Sequence, residues 1–343
     1  MADATTEEKG TGLILGATWT EFWAAWGDVF TTASLASMMA ASGPLIYATI
    51  GETISEKAGV INLSLEGSIM LSAMTGFGTA LLVDNVLIGF LAAAAVGAGI
   101  AALIAFASIE LRLDQIAIGF VMTLLAIDLS DYLGNRFVGE AGPAVAAWPI
   151  PGLSEIPWFG EVFFDHNVSV YGSFVLVVVT YVFIYRTRRG LELQGIGERP
   201  EGAFARGVAV NNMRYFYTIL GGALVGVAGA AFSLDQKLGW REGSTRNLGW
   251  IALAIVIFGG WHPIRVAIGA VLFGFLQVVA LKMQPVFPGL SQVLPTIPFP
   301  MMILALVIVY TDWFRRLGDR YPRLRGILAA DPPSGIGVAF HPE

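Results

Sequence analysis

One carboxylate in this chain stands where a carboxylate is expensive. Glu66 lies in INLSLEGSIM, six residues into an apolar run, with no basic residue three or four positions away. An unpaired carboxylate at membrane depth costs about 2.5–3.5 kcal/mol or more, so its side chain must face protein, water or a passing solute. Two readings are open: a residue of a transport pathway, or a carboxyl that hydrogen-bonds the backbone of a broken helix and fixes it. The balance leans to the second. Asn62, Gln115 and Asn247 are neutral hydrogen-bonders near the ends of apolar runs. They suit a polar, uncharged substrate, or they cap helices. Asp128 and Asp131, three apart near the outer end of their run, are expected to face water.

Other chemistries are missing their parts. The chain has no cysteine, which excludes thiolate metal sites and thiol nucleophiles. Its three histidines, His166, His262 and His341, are not spaced as a metal pair. None of the four lysines follows a glycine, so there is no phosphate-binding P-loop and no ATP hydrolysis by this chain alone. No G-x-S-x-G elbow occurs either. With 20 basic against 26 acidic residues and a net charge of −6, no footprint for nucleic acid exists. Too few intramembrane carboxylates remain for a proton relay, with Glu66 the one clearly inside a span. Uphill transport would draw its energy from elsewhere.

The elements that hold these residues follow from composition. Of 343 residues, 55% are hydrophobic and 13% charged, with a mean hydropathy of +0.69. A soluble domain carries about a quarter charged residues, so most of this chain is solvated by lipid. Nine spans are expected, at about 30–50, 60–83, 85–109, 114–134, 168–186, 213–234, 247–260, 263–283 and 296–314. Trp19, Trp23 and Trp26, at i, i+4 and i+7 of the 12–27 stretch, mark an interfacial helix. The acidic leader MADATTEEKG does not resemble a signal peptide. The expected fold is therefore an all-α polytopic membrane protein, one transmembrane unit over 1–343.

Charge sets orientation. Six of the 20 bases fall between Arg186 and Arg214 and five between Arg315 and Arg325, which makes 187–212 and the 315–343 tail cytoplasmic. The 135–167 loop has one base, Arg136, against four acids, and is expected to be an ordered external cap. Loop 51–59 is then cytoplasmic. Loop 235–246 should be external despite Lys237, Arg241 and Arg246. The order of the four spans in 30–134 repeats in the last four of 168–314, those of 213–314, with five crossings between matching members, and an odd number inverts one half relative to the other. NLSLEGSIMLSAMTGF at 62–77 faintly echoes NLGWIALAIVIFGGWH at 247–262. Inverted repeats with short or broken helices in matching positions mark transporters. The span at 247–260 is only about 14 residues long, so a short or broken helix is expected there.

The cytoplasmic stretch RTRRGLELQGIGERPEGAFARGVAVNNMRYF contains a helix-compatible run from Pro200, with Ala203, Ala205 and Val208 on one small face beside Arg206. It is either a docking element for a partner or a solvated loop.

Here a family comes into view. IGETISEKAGVINLSLEGSIMLSA resembles the signature of nucleoside and simple-sugar permeases of ATP-binding-cassette importers, a group similar to ribose and branched-chain amino acid permeases. Its E-x-x-G-V-x-N-x-x-x-E-G pattern is matched by Glu56, Gly59, Val60, Asn62, Glu66 and Gly67. The resemblance continues, in order, through LRLDQIAIGFVMTLLA, GERPEGAFARGVAVNNMRYFYTILGGALVGVAGA and GWIALAIVIFGGWHPIRVAIGAVLFGF. The Ser-Glu-Lys-Ala-Gly variant is more similar to the nucleoside type. Arg199 departs from the asparagine usual before the proline. The resemblance implies a pathway lined near Asn62, Glu66, Gly67, Gln115, Asn247 and Trp250. It implies that 199–208, with Pro200, Glu201, Ala203, Arg206 and Gly207, docks in a cytoplasmic ATPase. It further implies an extracytoplasmic substrate-binding protein, a second and different permease subunit, and no cofactor. A monosaccharide permease is the alternative, and an ion-coupled secondary transporter a more distant one.

Overall fold

The computed structural model describes residues 19–245, 247–290 and 332–340, with isolated residues between 293 and 311. Helix α1 (Trp19–Val29) leads into α2 (Thr32–Lys57), α3 (Leu65–Val83), α4 (Val86–Ile109) and α5 (Gln115–Gly134). After the 135–167 segment, with its short α6 (Phe159–Phe163), come α7 (Val168–Arg186), α8 (Arg188–Glu198) and α9 (Pro200–Phe204). Then follow α10 (Val210–Ala231), prolonged by a π-turn at Phe232–Gln236, α11 (Leu248–Gly259) and α12 (Pro263–Met283). Among the described residues seven helices are long and apolar enough to cross a membrane, and α11 is a shorter apolar helix. The ninth expected span, 296–314, falls mostly outside the described residues.

Helix starts were written locally. Thr31, Asn85, Asp114, Asn167 and Thr187 each accept a hydrogen bond from a backbone N–H in the first turn of the helix that follows. Such caps satisfy donors that a helix leaves open at its N-terminus.

The centre of the bundle is α10, which packs on α2, α3 and α4. Its small residues permit this. A Cβ on Gly51 of α2 would lie 2.5 Å from the Gly221 carbonyl, and one on Gly226 would lie 2.2 Å from the Ala93 carbonyl of α4. Backbones touch directly, which substitutes dispersion contact for a hydrophobic drive that lipid does not supply.

Two expectations need correction. Helix α2 does not stop near residue 50 but runs to Lys57, so 51–57 is not a loop. Glu52 and Glu56 made that stretch look like an exposed connection, yet both are buried. Glu52 accepts from the Asn62 backbone N–H at 3.1 Å, and Glu56 accepts from the Trp261 indole. Glu66 is therefore not the single carboxylate within a span. The 135–167 segment, in turn, is ordered: Trp148 and Ile150 donate to the His166 and Phe164 carbonyls, and Val145 to that of Leu234.

Candidate functional site

The break in the first half is the stretch between α2 and α3. It turns at Gly59, whose φ of +90° a residue with a side chain rarely adopts. It then runs back along the last turns of α2, where Asn62 meets Glu52. Polar side chains satisfy its backbone. Gln115 accepts from the Ile61 N–H at 2.8 Å, and Thr123 donates to the Leu63 carbonyl at 2.8 Å. The Asn62 side chain accepts from both the N–H and the hydroxyl of Ser64, at 3.1 and 2.6 Å. Gly67 lets α5 come close, since a Cβ there would lie 2.5 Å from the Thr123 carbonyl.

The break in the second half precedes α11. This helix has 12 residues, or about 18 Å at 1.5 Å per residue, short of the roughly 30 Å of a hydrocarbon core. Its first residues meet the first residues of α3. A Cβ on Gly249 would lie 2.1 Å from the Glu66 nitrogen, so two helix N-termini from opposite halves abut. From this point α3 leads to the end of the bundle that holds Phe137, against Gly78, while α11 leads to the other end, where Trp261 meets Glu56.

Glu66 holds the junction together. One carboxylate oxygen accepts from the Thr245 hydroxyl at 2.6 Å and the Asn247 N–H at 3.1 Å. The other accepts from the Gly249 N–H at 2.7 Å. Two positive helix ends would repel one another, and the carboxylate between them answers both the open N–H groups and the field. Glu66 thus has the contacts of a scaffold carboxyl, the second of the two readings its position suggested. Asn62 and Gln115 also spend their side chains on backbone. Asn247 is exposed, at a φ of +65°, and Trp250 is half-buried beside the junction.

The segment that could meet an ATPase lies at the α11–α12 turn's end of the bundle. Here α8 follows α7 directly, and Gly197 abuts the Lys57 carbonyl closing α2. The helix from Pro200 is shorter than the 200–208 run suggested: it closes at Phe204, and Gly207 turns the chain at a φ of +84°. Pro200 and Ala203 face inward and Val208 is half-buried, while Ala205 is exposed rather than part of an inward face. Glu201, Arg206 and Gly207 are exposed. A buried base and an exposed charged rim is a shape that can seat on a partner.

The turn after α11 carries a histidine that local sequence did not single out. His262 stacks on Tyr185 at 5.1 Å and lies 5.7 Å from Tyr181. Burial, with the Arg265 and Lys57 charges nearby, pushes its pKa down from 6.5 to about 4. Glu52 and Trp261 were missed as well, and Glu56 entered only as part of the family pattern. Two carboxylates one helical turn apart, Glu52 and Glu56, were the available signal.

A 12-residue apolar helix meeting a 19-residue one end to end across one carboxylate inside an apolar bundle is the kind of broken crossing found in membrane transport proteins. Comparison with known proteins agrees. The family described as "Branched-chain amino acid transport system / permease component" matches residues 34–306. A putative glucose ABC transporter permease protein of Haloferax volcanii is 38% identical over 259 residues, 74% of this chain and 79% of that one. A guanosine ABC transporter permease protein of Bacillus subtilis is 31% identical over 283 residues, 77% and 88% of the two chains. A nucleoside ABC transporter permease protein of Lactococcus lactis is 29% identical over 293 residues, 80% and 91%. No solved structure matches. The chain belongs to this permease family and is a multi-pass membrane component of an ATP-binding-cassette importer. Membership implies a partner ATPase and a substrate-binding protein.

Proposed function

We propose that the protein moves nucleosides inward by alternating access, as the permease subunit of an importer powered by a separate ATPase. The observation that carries this reading is the Glu66 junction, where the start of α11 is joined to the start of α3 through three hydrogen bonds to one carboxylate. Relative motion of the halves would open the space beside Asn247 and Trp250 to one face and then the other. Asn62, Gly67 and Gln115 hold the first-half break that borders it. Both Glu66 oxygens are committed to α11, so the path offers no free anion there and suits an uncharged polar cargo. Nucleosides and sugars both qualify. An aromatic such as Trp250 at the junction gives a nucleobase a face on which to stack.

In this reading the basic segments and the 315–343 tail are cytoplasmic, and the acidic 135–167 cap receives the loaded binding protein outside. The exposed rim of 199–208 docks in the ATPase, and a different permease subunit completes the pore. The chain has no ATPase site of its own. A second reading, a glucose permease, is favoured by the 38% identity to the glucose-named relative against 31% for the guanosine-named one.

Uptake of labelled guanosine by cells expressing the complete importer separates the two. Competition by unlabelled nucleosides and none by glucose is expected; the reverse pattern selects the sugar reading. Ion-driven uptake in proteoliposomes without any ATPase would remove both. Glu201→Ala and Arg206→Ala should leave membrane insertion intact while releasing the ATPase or uncoupling its hydrolysis from uptake.

A further inference from the structure

The segment 332–340, whose sequence suggests no role, is bound at the same end of the bundle as α8 and α9. Ser334 donates through its N–H and hydroxyl to Glu198, at 3.2 and 2.9 Å, and the Gly335 N–H donates to the Gly197 carbonyl at 2.8 Å. Three residues later the same segment is fixed elsewhere. The Gly337 N–H donates to the Gly59 carbonyl at 3.0 Å, at the turn that opens the first-half break. The Val338 carbonyl accepts from Arg214 at 2.8 Å. Arg214 lies in the first turns of α10, is 2% exposed, and has no other hydrogen-bond acceptor among the described residues. Phe340 then turns inward, 8% exposed, with its ring 5.5 Å from that of Phe204.

These contacts join three parts that otherwise meet over small areas: the α8–α9 corner, the Gly59 turn and the base of α10. Helix α9 has five residues, too few to hold a helical form without support. Pro200, whose ring lies 3.2 Å from where a Gly335 Cβ would be, and Phe204 rest on the segment. The outward residues Glu201, Gly202, Ala205 and Arg206 stay exposed. The segment therefore supports α9 from behind and does not cover its outer rim.

We propose that 332–340 is a positioning strut. It carries displacement of α9 to the Gly59 turn, and through Ile61 and Asn62 to the Glu66 junction, with Phe340 and Arg214 as its positioning residues. This rests on α9 being the ATPase dock. A carrier of motion must remain bound to both parts throughout the cycle; an inhibitory plug must leave.

The test uses the complete importer, reconstituted with ATPase, second permease and binding protein. Phe340→Ala, and a chain ending at Asp331, should retain stoichiometric ATPase on purification and substrate-stimulated hydrolysis. Uptake per ATP hydrolysed should fall by at least about fivefold, the lower range of measured coupling between sites, and Phe340→Leu should restore most of it. Uptake per ATP unchanged or increased in both Phe340→Ala and the shortened chain overturns the strut. Because the chain has no native cysteine, a Glu198→Cys and Ser334→Cys pair, placed where the native side chains touch at 2.9 Å and sparing Phe340 and Arg214, can be oxidised alone. Uptake that survives this tether supports a strut that travels with α9, whereas uptake abolished by oxidation and regained on reduction overturns it. If Glu201→Ala and Arg206→Ala change neither ATPase retention nor uptake, the docking reading fails first. If those variants uncouple while the 332–340 variants do not, only the strut fails.

Discussion

The break between α2 and α3 and the break before α11 are held in different ways. The first, between α2 and α3, is pinned by three neutral side chains and one carboxyl: Gln115 and Thr123 take one backbone partner each, Asn62 takes the N–H and hydroxyl of Ser64, and Glu52 takes the Asn62 N–H. The second, before α11, is held among the described residues chiefly by Glu66, through three donors. Two breaks in one bundle thus need not be held by the same chemistry. The first half lends its charge to the second. Loss of one neutral pin should loosen one half, while loss of Glu66 should separate both.

The sharpest way to break that comparison is steric. Gly249→Ala places a methyl 2.1 Å from the Glu66 nitrogen, and folded protein in membranes should drop to near background; normal expression and uptake would show that the helix ends do not abut. Next comes Glu66→Gln, which keeps the shape but turns one acceptor into a donor facing the Gly249 N–H. A buried donor left unsatisfied costs about 1–3 kcal/mol, so uptake and melting temperature in detergent should both fall; an unchanged melting temperature removes Glu66 as the scaffold. Gln115→Ala strands only the Ile61 N–H. It should cost about 1 kcal/mol, at the low end of that range, and leave much of the uptake. If it matches Glu66→Gln, the two breaks are held alike and the asymmetry is wrong.

The smallest effect is one of pH, at the far end of α11. His262 is neutral in the folded protein down to about pH 4, whereas the unfolded chain takes up a proton near 6.5. The unfolded state then binds more protons in this window, so the stability is present above about pH 6.5 and is lost as pH falls towards 4. Melting curves at pH 7.5 and 5 should therefore differ less for His262→Gln than for the native chain. Equal differences would remove His262 as the source.

Much of this was legible locally. Helix caps such as Asn85, Asp114 and Asn167 act within three residues, and the apolar runs needed no partner to be read as spans. The cost of burying Glu66 pointed to a partner, and its carboxylate accepts from two backbone N–H groups and a hydroxyl. What escaped depends on distant partners. Glu56 reads as a surface residue until Trp261, 205 positions later, supplies its donor. Arg214 meets its acceptor 124 positions on. The five-residue length of α9 was hidden because its sequence stays helix-compatible past Phe204, and only the turn at Gly207 ends it.

The backbone contacts along α10 bear on how a mutational survey of this protein should be read. A side-chain carbon at Gly222 would lie 2.2 Å from Ala101, and one at Gly229 would lie 2.6 Å from the Ile69 carbonyl. Most replacements at these positions will score as inactive, with a severity equal to that of residues touching cargo. The resulting stripe of intolerant positions would trace where helices are thinnest and not where substrate travels. Gly99, with nothing within 4 Å of its missing methyl, provides the internal calibration: a glycine of the same bundle that such a survey should find silent.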